Sequence, residues 1–318
     1  MTIAAVFPGQ GSQVIGIGIE LAQKFDVARK VFNEVNEAIG ENLFKIMQSG
    51  DEKTLQLTEN AQPALMSTGI AVVRVLEYKI GRKIGEVISH TAGHSLGEYT
   101  SLVASESLKL SDAARLLRIR GKAMQSAVPV GIGSMVAIIG ASIEDVEHFI
   151  ASAGNTKEVV EIANDNAPGQ IVISGHSKSV DLVLDIAKKS GVRKALKLSV
   201  SAPFHSSMMN PAALIMSNAL DKIKISEPKI PIICNVTAVP ETAPNILKQN
   251  LILQVTGKVR WRETMESMVR LGVNQVVEMG TGKVLTGLAR RCDNNLTTVN
   301  LQTSDDIIKW LHTENNLR

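Results

Sequence analysis

Short apolar runs alternate along the chain with longer segments in which apolar residues recur every three to four positions. The first pattern reads as strands buried on both faces, the second as amphipathic helix. On that basis residues 3–7 form a first strand and Pro8 to Gln13 a tight loop. Residues 17–48 are helical with a break near Gly40, and 64–80 is a longer helix whose Leu65, Ile70, Val73 and Leu76 face the core. Val87 and Ile88 lead into a further strand, which ends in the turn Gly93-His94-Ser95-Leu96-Gly97 before another helix-compatible stretch. Ser111 and Asp112 read as the N-cap of a helix reaching about residue 128.

From Pro129 to Val200 the texture changes. The order there is strand 131–139, helix 143–153, strands 159–164 and 170–174, helix 178–189 and strand 194–200, the β-α-β-β-α-β arrangement of a ferredoxin-like unit. Beyond it come helix 206–220, strand 230–236, helices 245–255 and 262–271, strand 275–279, helix 284–291, strand 297–301 and helix 305–312. The expected fold class is α/β: a mainly parallel sheet covered on both faces in a large domain of residues 1–128 and 201–318, with a small ferredoxin-like domain of residues 129–200 inserted in it, and seams near Pro129 and Ser201.

Composition narrows the function. The formal charge is +3 and only 3% of residues are aromatic, so neither a nucleic-acid backbone nor base stacking is called for. Cys234 and Cys292 have no paired spacing, which points to neither a disulfide framework nor a metal site and fits a reducing cytoplasm. The segment from Met1 to Phe7 has no basic region ahead of its apolar residues and runs into Pro8 and Gly9, so it reads as a strand and not a signal peptide. No apolar run approaches membrane-spanning length, and no exposed apolar stripe asks for a second copy, so a monomer is expected.

Gly93-X-Ser95-X-Gly97 is the spacing of a nucleophile elbow, in which a serine occupies a strained turn and the glycines leave room for the neighbouring strand and helix. Other glycine patterns exclude themselves: Val14 stands where a dinucleotide fingerprint needs glycine, and Val277 and Val284 break a phosphate loop around Gly280-Thr281-Gly282-Lys283. A serine nucleophile needs a base. His148 and His312 fall on surface helices, His176 in a turn, His90 in or beside the elbow strand, and His94 next to the serine but pointing away from its hydroxyl. His205 remains, where a strand gives way to a helix, C-terminal to the serine as in elbow enzymes. On the helix from 111, Arg120 lies in the middle of the apolar stripe of Ala113, Leu116, Leu117, Ala123, Met124 and Ala127, while Arg115, Arg118 and Lys122 lie off it as solvated charges. A guanidinium in such a place needs an anion, either an Asp or Glu of the core or the carboxylate of a substrate.

Several stretches together resemble the malonyl-CoA:acyl-carrier-protein transacylase family: residues 7–13, 93–98, 120–125, 164–170 and 203–205, then Asn235-Val236-Thr237-Ala238, Gln254 ahead of Val259-Arg260-Trp261, and 278–285. The resemblance runs in order from residue 3 to about 290. It implies a hydrolase-like large domain and the roles that follow. Ser95 is the nucleophile and His205 its base; Gln10 and Leu96 give backbone N–H groups to the oxyanion; Arg120 holds the malonyl carboxylate; the backbone carbonyl of Gln254 orients the histidine. His94 and Asn164 match supporting positions. The reaction implied is ping-pong transfer of malonyl from malonyl-CoA through a serine ester to the phosphopantetheine thiol of acyl carrier protein, supplying fatty acid synthesis, with no cofactor or metal of the enzyme's own. Phe204 resembles the malonyl-selective form of related domains, and Gly257-Lys258 replaces the family's usual Asn-Pro. The acidic carrier protein would meet a basic surface, either Lys188, Lys189, Arg193, Lys194 and Lys197 or Arg115, Arg118 and Lys122. A serine thioesterase would share the elbow and histidine without needing Arg120, and a silent carrier-docking module would need none of the three.

Overall fold

The computed structural model describes residues 2–154, 158–200 and 202–313. Its strands are β1 (Ile3–Phe7), β2 (His90–Gly93), β3 (Gly133–Ile139), β4 (Val160–Ala167), β5 (Gln170–His176), β6 (Lys194–Lys197), β7 (Ile232–Ile233), β8 (Pro240–Glu241), β9 (Gln275–Met279) and β10 (Thr297–Leu301). They make two sheets, ordered β10-β9-β1-β2-β7-β8 and β4-β5-β3-β6. The first is parallel from β10 to β7, with β8 turned back antiparallel at its edge; the second is antiparallel throughout. The α/β class expected from the alternation of runs is the class observed.

Period-two geometry explains why β1 is apolar at every position. Ile3, Ala5 and Phe7 face one core, with the helices Asp26–Ile39 and Thr58–Ile80, while Ala4 and Val6 face another, with Trp261–Arg270 and Val284–Cys292. The small sheet is also two-sided. Val136, Ile138, Ile171 and Ile173 pack under its own helices Ile143–Ser152 and Ser177–Lys189. Met135, Ala137 and Val172 point the other way, toward the large sheet's helices. All four strands of the small sheet lie between Gly133 and Lys197. Ser201, taken above as a seam, lies outside the described residues, as do Met1 and 314–318 of the expected large domain and 155–157 of the small one.

Several boundaries differ from the pattern's reading. The first helical stretch is three helices, Ile19–Lys24, Asp26–Ile39 and Leu43–Ser49, because extended backbone at Phe25 interrupts it as well as Gly40. The long helix begins at Thr58, with Pro63 inside it. Ser111 and Asp112 are not a cap: the helix is Leu110–Ser126, capped by Lys109, and Asp112 instead accepts from Arg115. Only Ile232–Ile233 of the expected strand 230–236 is ladder, since the chain turns back into β8. Arg118 is not solvated either. It is 7% exposed and donates to Asn60 and to Glu41 Oε2, at 2.9 Å for the latter, partners brought to it by the helix Thr58–Ile80 and by the turn after Asp26–Ile39.

Candidate active site

β2 lies centrally in the parallel sheet, and the chain leaves its carboxyl end directly into the elbow. The two glycines are sterically required. A Cβ at Gly93 would stand 1.8 Å from the carbonyl carbon of Gly97, and one at Gly97 would stand 2.3 Å from the Phe7 carbonyl oxygen. Between them Ser95 is held at φ +53°, a left-handed angle that L side chains rarely adopt. Its N–H donates to Asn235 Oδ1 at 2.7 Å, and its carbonyl accepts from Gln254 Nε2 at 2.9 Å. The helix Gly97–Ala104 starts immediately afterwards, so the N–H of its capping residue Leu96 points out of the helix start. Among the described residues neither that group nor the backbone N–H of Gln10, in the loop after β1, donates to a protein acceptor.

Ser95 Oγ lies 2.8 Å from His205 Nε2. His205 Nδ1 faces the carbonyls of Gln254 at 2.9 Å and Gly257 at 3.2 Å. Two acceptors on that side fix the proton on Nδ1, so Nε2 is the acceptor for the serine hydroxyl. The Gly257-Lys258 departure therefore sits at the second carbonyl. Burial, with Arg120 nearby adding to it, pushes the His205 pKa down to about 3, and the imidazole is neutral at pH 7. The sequence placed His205 at the carboxyl edge of the parallel sheet by the strand before it; that strand is β6, of the antiparallel sheet. His205 is brought to the serine instead by a turn at φ +57° ahead of a short 3-10 segment, Ser207–Met209, and the helix Asn210–Leu220.

Arg120 is 1% exposed and donates from Nη2 to Ser95 Oγ at 3.1 Å and to Gln254 Oε1 at 2.9 Å. Among the described residues it forms no ion pair; Tyr99 and then Glu98 act on its charge, and Gln254 links it to the latter, Nε2 donating to Glu98 Oε2 at 2.8 Å. Glu98 also accepts from the Asn235 N–H, yet burial outweighs these bonds and pushes its pKa up to about 7. The side chains of Gln254, Glu98 and Asn235 form the bracing under the elbow. Spacing offered no sign of it, because the three arrive from separate segments and only Glu98 adjoins the serine motif.

His94 Nε2 pairs with Asn166 Oδ1 at 2.9 Å, its ring packs 5.4 Å from Trp261, and burial lowers its pKa. Asn164 is buried at 5% exposure, in a bulge of β4 that bridges to Val259. Gln10, His94, Ser95, Leu96, Arg120, Asn164 and His205 all line one cavity of about 270 Å³, which Met135, Ala137, Val172 and Phe204 close on its apolar side. Gln254 stands behind its wall. A larger groove of about 730 Å³, around Lys30, Arg74 and Lys224, contains none of these residues and lies apart from the chemistry. The described residues hold no cluster of three or more His, Cys, Asp or Glu suited to a metal ion, and no helix long and apolar enough to cross a membrane.

A neutral histidine on a strained serine, a buried arginine with no ion pair among the described residues, and the N–H groups of Leu96 and Gln10 make an acyl-transfer site with an affinity for negative charge. Residues 5–295 match the family described as the acyl transferase domain. The malonyl CoA-acyl carrier protein transacylase of Bacillus subtilis (strain 168) is 40% identical over 316 residues, 98% of each chain, and that of Escherichia coli (strain K12) is 38% identical over 92% of this chain and 94% of its own. Among solved structures, an acyl-carrier-protein-S-malonyltransferase from Bartonella henselae superposes with TM-score 0.94 at 47% identity, covering 98% of this chain and 99% of that one. A type II PKS acyl-carrier protein in complex with its malonyl-transacylase gives TM-score 0.94 at 37% identity, covering 99% of this chain and 100% of that one. By sequence and by fold, the chain belongs to the acyl transferase family.

Proposed function

We propose that the protein transfers malonyl from malonyl-CoA to the phosphopantetheine thiol of an acyl carrier protein, through an ester on Ser95. The observation that carries this reading is Arg120: a buried guanidinium without a carboxylate partner among the described residues, donating to the hydroxyl that would be acylated. A carboxylated acyl group bound through Ser95 supplies the missing anion, and an acetyl group does not.

In the first half-reaction His205 Nε2 takes the Ser95 proton as Oγ attacks the thioester carbonyl. The oxyanion is received by the Leu96 and Gln10 N–H groups, and collapse releases the CoA thiolate, which His205 protonates. The carrier thiol then enters, gives its proton to His205 and reverses the sequence, leaving Ser95 free. His94 and Asn164 complete the cavity wall. Binding also prepares the base, because the acyl carboxylate offsets the Arg120 charge that helps hold the His205 pKa down. No cofactor or metal enters these steps.

The carrier partner is assigned to the basic edge of the small sheet. Lys188 and Lys189 end the helix Ser177–Lys189, Lys194 and Lys197 lie on edge strand β6, and these four and Arg193 are all exposed. Of the alternative set only Arg115 and Lys122 are exposed, since Arg118 is buried. A cytoplasmic setting in fatty acid synthesis accompanies the reading. Incubation with malonyl-CoA, with and without holo acyl carrier protein, tests it. A malonyl adduct on Ser95 that discharges to the carrier is expected; free malonate as the main product, or no adduct, overturns the transferase.

A further inference from the structure

The small sheet grips the turn that carries His205 at both of its ends. At one end Gly133, the first residue of β3, lies against the Pro203 ring, so closely that a Cβ there would stand 2.4 Å from Pro203 Cδ. At the other end Glu161 of β4 reaches across with both carboxylate oxygens. Oε2 accepts from the Ser207 N–H at 2.7 Å and Oε1 from the Ser207 hydroxyl at 2.9 Å. Glu161 and Ser207 are both half-buried.

The need for Glu161 is local. Ser207 opens the 3-10 segment Ser207–Met209, and a helical start leaves backbone N–H groups without partners. Ser206, ahead of it, is of a type that commonly supplies the cap, but its hydroxyl is turned back to the Pro203 carbonyl at 2.7 Å. The cap therefore comes from the small sheet, and as a carboxylate it suits donors at a helical start. His205, at φ +57°, stands between these two sets of hydrogen bonds, and a residue other than glycine keeps such an angle only where its surroundings over-determine it. β4 also sets the other side of the base. Ala163 and Asp165 exchange backbone hydrogen bonds with Val259 at 2.8 and 2.9 Å, two residues beyond the Gly257 carbonyl that His205 Nδ1 faces.

We propose that Glu161 is a positioning residue for the base, fixing the Ser207 end of the turn so that His205 Nε2 stays within hydrogen-bond reach of Ser95 Oγ. This rests on the part of the reading above that makes His205 the base for Ser95. Glu161 acts by placement and not by its field, since the charges that weigh on His205 are those of Arg120 and His94. It is not part of the cavity wall, so its loss leaves the binding surface intact. Without it the turn can relax from its left-handed angle, and a displacement of about 1 Å at a catalytic group costs up to about a hundredfold in rate.

The test follows modification of Ser95 by rapid-quench intact mass, with malonyl-CoA and separately with phenylmethylsulfonyl fluoride, which needs the same serine and base but no acyl carboxylate. In the sulfonylation Ser95 Oγ bonds to sulfur, fluoride leaves, and His205 takes the hydroxyl proton. Glu161→Ala is expected to slow both reactions about ten- to hundredfold, while the malonyl-CoA concentration giving half the maximal rate stays within about twofold. Glu161→Gln, whose amide oxygen can still accept from the Ser207 N–H, recovers most of the loss. In a His205→Ala background, Glu161→Ala removes no more than about a further twofold, because the group it places is gone. An equal fold loss in both backgrounds, or no loss in either, would show that Glu161 only caps the turn. Glu161→Val, suited to a strand, carries the same comparison if the alanine variant does not fold. A wild type that is sulfonylated but takes no malonyl overturns the transferase reading alone, and the sulfonylation rates still decide the role of Glu161.

Discussion

Ser95 and His205 meet at 2.8 Å with nearly equal left-handed angles, yet the two residues are held in different ways. The serine's turn is enforced by backbone lying on backbone: Gly93 lies against Gly97, Gly97 against the end of β1, and the helix start follows at once. The turn at His205 is closed instead by a side chain, Ser206 Oγ donating to the Pro203 carbonyl at 2.7 Å. The imidazole ring is fixed from a distance by the carbonyls of Gln254 and Gly257, about fifty residues later in the chain. The serine is thus held by backbone sterics at the elbow and the imidazole by hydrogen bonds to a distant loop, so damage to each should look different.

The largest expected contrast is chemical. Ser95→Ala should form no covalent malonyl adduct by intact mass, whereas His205→Ala should still form it at least about a thousandfold more slowly, because the elbow and its oxyanion donors persist. A His205→Ala protein that never acylates would break the contrast. Next comes stability. Gly93→Ala drives a methyl into backbone and should cost more than about 3 kcal/mol in denaturant unfolding, while Gly257→Ala, whose Cβ would meet the Leu253 carbonyl oxygen at 2.8 Å, should cost about 1 kcal/mol. Equal costs would mean that both halves depend on local shape. Arg120 touches Ser95 directly and His205 through its field, and Arg120→Ala should shift the malonyl-to-acetyl ratio of kcat/KM about ten- to hundredfold toward acetyl. An unchanged ratio would make it a structural residue.

The smallest effect concerns pH. His205 has a folded pKa of about 3 against 6.5 unfolded, so between those values the unfolded chain binds the extra proton. Stability is therefore retained above pH 6.5 and lost as pH falls through the window, by up to about 1.4 kcal/mol per pH unit from this residue. The fall in Tm from pH 7 to pH 5 should be shallower in His205→Asn than in the wild type. Identical slopes would show that the imidazole is not held neutral by burial.

The same division decides what the sequence disclosed. The elbow could be read because Gly93, Ser95 and Gly97 lie within five residues, and the order of the small sheet could be read because each of its elements follows the last. Periodicity reads Arg118 as solvated because Glu41 and Asn60, which make its burial tolerable, come from a turn and a helix that the pattern cannot bring to it. The side-chain braces from Gln254, Asn235 and Glu98 are invisible to spacing for the same reason, although the resemblance singles out Gln254 for its backbone carbonyl. Strand 230–236 was overextended because an apolar run shows burial but not where a ladder stops.

The carbonyls behind His205 have a kinetic corollary. A carboxylate there would stabilise the imidazolium and make the histidine a stronger proton acceptor; two neutral oxygens in a buried setting leave it a weak one. A thiol, with a pKa near ~8.5, surrenders its proton to such a group far more readily than water, at about 15.7. Under the proposed reaction, the feebleness of the base gives the loaded serine a long lifetime in a wet cell and a short one once a thiol arrives.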